Sequence, residues 1–321
     1  MKNRKPKIVY MGSADFAVPA LEALKGSGYV IPCVVTQPDR VRGRGGNVRP
    51  TPVGLYAEKT GIPLLKPEYI KDNEEFARAL REAEPDLIVV AAYGKILPEF
   101  VLKIPLFGCV NIHASLLPEY RGAAPVQRAI LDGKNETGVS LMYVSEKLDA
   151  GDIIAAAKVD VSGMNAGETT DVLARLGAEL LLKEMPFLAD GTAPRVPQDA
   201  TKATYAEKIE KAEGLLGFGL PAEEITLRVR AMTPAPGAYI LKDGERIGVT
   251  AALAIDPVSA AGAYEGYEEA APGTVLNVSK QGIAVRAGEG AVLIESLKMP
   301  GRKAMPVAEY LKGNAFNAKS F

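Results

Sequence analysis

Apolar runs recur through the first half of the chain: Ile8 to Met11, Tyr29 to Thr36 and Asp86 to Ala92. Such short unbroken runs fit strands of a parallel sheet covered on both faces. Between them the apolar spacing changes to three and four. Residues 14–25, 52–59 and 73–83 therefore read as amphipathic helices, with a short strand at Leu64-Leu65. The alternation continues with a helical turn at 98–103, a strand ending at His113, a helix over 125–131 and strands over 138–144 and 153–159. A long helix over 168–188 closes the series. Pro125 stands where a helix tolerates proline, in its first turn. The pattern predicts an α/β fold, a doubly wound, mostly parallel Rossmann-like sheet.

After residue 191 the pattern changes. Residues 192–213 are polar and contain proline, and read as a linker. One helix over 223–231 is followed by short strands near 238–241, 246–254, 274–278, 282–286 and 291–297, split by Gly, Asp and Asn turns. Regular short strands of this kind predict a small C-terminal β-barrel, OB-like in size. Pro257 to Pro272 reads as an excursion from that barrel, and 307–311 as a last helical turn. The expected division is a first domain over 1–191, the linker, and a second domain over 214–321.

Length supports this division, since 321 residues suggest about two domains. Charge adds a restriction. With 38 Lys and Arg against 39 Asp and Glu, a nucleic-acid partner requires a local basic patch. Residues 37–50 offer one, a Gly-rich loop carrying Arg40, Arg42, Arg44 and Arg49. Two readings fit it: a solvated surface loop, or a basic finger for a phosphate backbone. Cys33 and Cys109 lie in apolar runs and read as buried free thiols of a cytoplasmic protein. With a single histidine and two separated cysteines, no zinc site of the usual ligand types is expected. The basic start is followed by only four apolar residues, too few for a signal peptide. No apolar run approaches the length of a membrane span. The first strand-turn, Gly12 to Phe16, lacks the G-x-G-x-x-G spacing, so a dinucleotide cofactor is not expected.

The candidate chemistry sits in Cys109 to Pro125. His113 is the only histidine in the chain. Asn111 lies two residues before it, and on a strand the two project from one face. His113 reads either as a core histidine satisfying a hydrogen bond, or as a proton acceptor beside an amide that polarises a carbonyl. Its place at the end of a strand in an α/β sheet, where such folds hold ligands, favours the second. An acidic loop follows downstream at Asp149.

The stretch N-I-H-A-S-L-L-P-E-Y-R-G-A-A-P, from Asn111 to Pro125, resembles the N-x-H-x-S-L-L-P-x-x-x-G motif of folate-dependent formyltransferases. Leu148-Asp149-Ala150-Gly151-Asp152 is similar to their L-D-x-G-D motif. Gly12 to Pro19, the Thr36–Gly45 loop and the tail Lys298 to Met305 narrow the resemblance to the methionyl-tRNA formyltransferase family, over nearly the whole chain. The resemblance implies transfer of a formyl group from 10-formyltetrahydrofolate, as co-substrate, to the amino group of methionine on initiator methionyl-tRNA, without a metal. It implies catalytic roles for Asn111, His113 and Asp149. It places folate against Ser115, Leu116, Leu117, Pro118, Val90, Ala91 and Tyr93, and the methionine side chain near Phe16. It implies tRNA contacts through Arg40, Arg42, Arg44, Arg49, Arg302 and Lys303; exposed surface charge is the plainer reading of the last two. A cytoplasmic monomer without an obligatory protein partner is expected. Two other functions share parts of the pattern: a formyltransferase acting on a small amine, and a non-catalytic RNA- or nucleotide-binding protein.

Overall fold

The computed structural model describes residues 5–41, 46 and 48–321. Arg42 and Arg44 lie outside the described residues. The chain divides into two compact units, and each is treated separately. The first comprises residues up to Pro125 together with 136–160 and 170–206; the second comprises 126–135, 161–169 and 207–321.

In the first unit, β1 (Ile8–Gly12), β2 (Val34–Val35), β5 (Leu64–Leu65), β6 (Leu87–Ala91) and β7 (Cys109–His113) pair in parallel. Two antiparallel strands, β9 (Glu136–Tyr143) and β10 (Ile153–Asp160), extend the sheet beyond β7. The order is β10-β9-β7-β6-β1-β2-β5. Every residue of β1 and β6 is buried, which is why these strands read as unbroken apolar runs rather than alternating ones. The run over 29–36 is a strand only at β2. Pro32 has no N–H for the ladder, and contact with β1 is kept by bonds from Ile8 N to Val30 O and from Tyr10 N to Cys33 O. The loop over 37–50 carries a two-residue ladder, β3 (Arg40–Val41) against β4 (Val48–Arg49).

The helices begin and end where local chemistry directs. Thr51 caps α2 (Pro52–Thr60) by accepting from Gly54 N at 2.9 Å, and Gly61 closes it at φ 69°. Asn73 caps α3 (Glu74–Glu82) by accepting from Phe76 N. Helices α1 (Val18–Gly26) and α4 (Glu99–Leu102) and most of α6 (Ala166–Asp190) also belong to this unit, while α5 (Pro125–Leu131) falls almost wholly in the second. On one sheet face, Val9, Met11, Val35, Ile88, Val90 and Cys109 pack with Phe76, Leu80, Tyr93 and Val101. Residues 192–206, read above as linker, form part of this unit. Within them β11 (Tyr205–Ala206) pairs in parallel with β8 (Arg121–Gly122).

The second unit is an antiparallel sheet with one apolar face. Its strands β12 (Ala238–Lys242), β13 (Glu245–Ile255), β14 (Val275–Ser279), β15 (Gly282–Arg286) and β16 (Ala291–Lys298) run in the order β12-β13-β16-β15-β14. Its end strands β12 and β14 do not pair with each other among the described residues, so the β structure is open. The apolar face carries Ile240, Val249, Ile283, Val285, Ile294 and Leu297, covered by Ile225, Val229 and Met232 of α7 (Ala222–Met232). The excursion between β13 and β14 contains a helix, α8 (Pro257–Ala263). Its caps are an Asp-Pro start and the bond from Ser259 N to Asp256 Oδ1 at 3.0 Å. Ala260, Tyr267 and Ala291 form a small core beneath it.

Candidate active site

The site is built where β6 and β7 end. Their register sets Val90 beside Asn111 and Ala91 beside Ile112. Asn111 is half-buried, and its carboxamide hydrogen-bonds to no described residue. His113 is buried at the strand end. Its Nε2 lies 2.9 Å from the carbonyl oxygen of Tyr120. A carbonyl only accepts, so Nε2 carries the hydrogen and Nδ1 holds the free lone pair of the neutral ring. That Nδ1 faces Asp149 Oδ2 at 3.7 Å, beyond hydrogen-bond length. The same carboxylate oxygen accepts from Gly122 N at 2.9 Å. A proton taken up at Nδ1 would therefore face a carboxylate already held in place.

The loop after β7 is pinned at both ends. Ser140 of β9, opposite His113 in register, accepts from Leu117 N at 3.0 Å and donates to Ser115 O at 2.8 Å. The Ser115 hydroxyl donates to Glu119 O at 2.7 Å. Tyr120 N donates to Thr204 Oγ1 at 2.8 Å, and Arg121 N to Thr204 O at 2.9 Å. Three non-glycine residues around the site hold left-handed backbone: Ala92 at φ 42°, Tyr120 at φ 58° and Asp149 at φ 46°. Such conformations persist only where the surroundings over-determine them, and they collect at functional sites. The Asp149 loop also leaves no room behind it, because a Cβ on Gly151 would stand 1.8 Å from Tyr143 O. An amide donor without a partner, an imidazole with a free nitrogen and a fixed carboxylate suit proton transfer at a carbonyl whose oxygen gains charge.

Comparison with known proteins places the chain in a family. The formyl transferase family model matches residues 6–183, and the formyl transferase C-terminal domain model matches residues 208–315.

The chain belongs to the formyltransferase family.

The methionyl-tRNA formyltransferase of Moorella thermoacetica is 44% identical to it over 308 residues, 96% of each chain. That of Acetivibrio thermocellus is 40% identical over 309 residues, again 96% of each. Among solved structures, HypX from Aquifex aeolicus in complex with tetrahydrofolic acid superposes with a TM-score of 0.65 at 18% identity. The match covers 96% of this chain and 47% of HypX, so the chain spans about half of that protein. WlaRD, a sugar 3N-formyl transferase, has a TM-score of 0.65 at 16% identity, covering 94% of this chain and 100% of that one. At these identities the likeness is one of fold.

In this formyltransferase Asn111, His113, Asp149, the Ser115–Pro118 loop and the ends of β6 and β7 come together in the first unit. Ser115 and Ala91 are fully buried, and Leu117 and Val90 nearly so. Tyr93 is buried in the core, and burial pushes its hydroxyl pKa up to about 12. The Tyr93 carbonyl accepts from Gln37 Nε2 at 2.8 Å and from Ser13 Oγ at 3.4 Å. This ties the end of β6 to the segment after β2 through Gln37 and to the turn after β1 through Ser13. Phe16 is half-buried in a helical turn just beyond that turn. Arg40 and Arg49 face each other in the β3–β4 ladder, where Arg40 also lies 3.7 Å from Glu68. Arg302 and Lys303 are exposed in the second unit. Sequence reasoning passed over Ser140, Gln198 and Thr204. Ser140 lies in an apolar strand and the other two in a polar stretch without periodicity, so only the three-dimensional contacts mark them.

Proposed function

We propose that the chain transfers a formyl group from 10-formyltetrahydrofolate to the α-amino group of methionine on initiator methionyl-tRNA, in the cytoplasm and as a monomer. The observation that carries this reading is the unpartnered Asn111 amide beside His113, whose free Nδ1 faces Asp149. Near full-length identity to enzymes named for that reaction supports it. The folate supplies an activated formyl group, and the residues of this chain do the rest. Asn111 donates to the formyl oxygen as charge grows there, an interaction worth about 2.7–4 kcal/mol of barrier. His113 takes the proton of the attacking amine at Nδ1 and returns it to the departing folate nitrogen. Asp149 faces the imidazolium in between.

The donor would lie between the Ser115–Pro118 loop and the segment Val90, Ala91 and Tyr93. An apolar slot rimmed by main-chain groups suits a flat pterin. Phe16 would border the methionine side chain. Arg40, Arg42, Arg44 and Arg49, with Arg302 and Lys303 of the second unit, would meet the tRNA backbone. Purified protein with 10-formyltetrahydrofolate should formylate charged initiator tRNA and leave amino-sugar nucleotides and glycinamide ribonucleotide unmodified. Turnover of either small amine without turnover of the charged tRNA overturns the assignment. Replacing Arg49 with Ala should weaken tRNA use by a factor that is largest at low salt and shrinks as salt rises, with folate binding intact.

A further inference from the structure

Gln198 lies outside every motif discussed above, yet all of its hydrogen-bonding capacity is spent at the site. Its Oε1 accepts twice from the Arg121 guanidinium, from the Nε at 3.1 Å and from an Nη at 2.6 Å. Its Nε2 donates to the main-chain oxygens of Asp149 at 2.9 Å and Gly151 at 2.7 Å. A carboxamide has two lone pairs on oxygen and two N–H donors, so this side chain is fully satisfied. Arg121 is 6% exposed, and among the described residues its guanidinium has the Gln198 amide as its only hydrogen-bonding partner. A buried guanidinium turned to a neutral amide rather than a carboxylate is costly to maintain. It fixes which end of the amide faces which way.

We infer that Gln198 is a positioning residue: it clamps the left-handed turn at Asp149, so that the carboxylate stays on Gly122 N–H and in front of His113 Nδ1. Two independent observations converge on this. Asp149 holds φ 46°, a conformation that needs external support. The same segment also fastens the other side of the pair, because Thr204 holds Tyr120, whose carbonyl orients His113. The stretch 198–206 thus ties both the carboxylate loop and the histidine loop to one strap. The inference rests on the proposed formyl transfer for its kinetic readout, and has a structural readout without it.

Gln198→Glu separates positioning from mere bracing. The substituted carboxylate still accepts from Arg121, but it presents an acceptor to the two main-chain oxygens that the amide held. The Gln198→Glu variant should lower kcat by about 10²-fold, the scale of a misplaced catalytic group. KM for both substrates should change little. In an Asp149→Ala background, measured by single turnover, the same substitution should cost nothing further, since a residue acting through Asp149 has nothing left to position. Arg121→Lys, which removes the two-pronged hold on Gln198, should show a smaller loss with the same non-additivity, and serves if Gln198→Glu fails to fold. Hydrogen exchange at Gly122 N–H should accelerate in both variants while β7 stays protected, whatever substrate the enzyme uses. Unchanged kcat in the folded variants, a full additive loss without Asp149, or unchanged exchange at Gly122 each overturn the inference. An inactive wild type in which Gly122 still responds would instead count against the formylation reading alone.

Discussion

The two units bury different things. Among the described residues, the first hides polar side chains at and around its strand ends, including Ser13, Thr36, Thr51, His113, Ser115, Arg121 and Ser140; the second hides only Thr169. The core of the second is aliphatic and aromatic throughout, with Ile225, Val249, Ile283 and Ile294 at its centre. A buried polar group costs free energy unless it is hydrogen-bonded, whereas apolar burial is favourable without directional constraint. Buried polar side chains in the first unit therefore mark where exact placement is required, and their scarcity in the second marks a core held by apolar packing. Substitutions should divide the same way. Those in the first unit should act on geometry and chemistry, and those in the second on stability.

The largest effects should come from the site. Alanine at His113 or Asp149 should lower turnover by about 10²–10⁴-fold, the usual contribution of a positioned proton-transfer group. Thermal stability and folate affinity should remain close to wild type. Single-turnover kinetics with 10-formyltetrahydrofolate and charged initiator tRNA measures this, and near-normal rates in both variants would remove the pair from the mechanism. The mirror experiment is Ile294→Ala in the second unit. Ile294 is fully buried, so its truncation should destabilise that unit by about 2–5 kcal/mol. Folate binding, a property assigned to the first unit, should persist below the melting transition. Loss of folate affinity in the intact variant would break the contrast between the units.

Ser140 tests the contrast at intermediate size. Its hydroxyl bridges Leu117 N and Ser115 O behind the S-L-L-P loop. Alanine there strands one buried donor and one buried acceptor, at about 1–3 kcal/mol each at most. The prediction is a modest fall in urea stability with a disproportionate fall in affinity for a folate analogue, because the released loop lines the proposed slot. Equal affinity in the variant would make Ser140 a structural residue only.

What the amino-acid pattern disclosed follows the same division. The fully buried strands β1 and β6 were visible as unbroken apolar runs, and α2 and α3 were visible through the change of apolar spacing to three and four. Asn111 and His113 were legible because period two on a strand places them on one face, and Asp149 because its short motif stands in an acidic glycine-containing loop. The clamp was not legible. Gln198 and Thr204 act through main-chain oxygens and amides of residues about fifty and eighty positions away, and main-chain partners leave no trace in composition or periodicity. The stretch that carries them looked like a linker because its bonds run to another loop rather than into a core. The helix α8 was missed for a related reason: seven residues of Pro, Ala, Gly, Ser and Val have no amphipathic period, and the cap at Asp256 carries the start.

Alkaline pH gives the gentlest test, and it again separates the units. Burial pushes the Cys33 thiol up to about 11 and the Cys109 thiol up to about 12, and it raises the Tyr10 and Tyr93 hydroxyls. All four belong to the first unit, while the second has only Tyr264 raised among its described residues. A group whose pKa is raised by folding keeps its proton in the native state to higher pH than in the unfolded chain. Below about pH 8.5, the ordinary thiol value, both states are protonated and nothing changes. Above it the unfolded chain binds fewer protons than the native one, so stability falls as pH rises toward 11 and 12. At pH 10 the loss should be about 2 kcal/mol for each thiol. Methyl resonances of Ile8, Ile88 and Ile112 report the first unit, and those of Ile240, Ile283 and Ile294 the second. Between pH 8 and pH 10 the urea midpoint of the first set should fall while that of the second holds. Midpoints falling in step would mean that the alkaline sensitivity does not reside in the polar and thiol-bearing interior of the first unit.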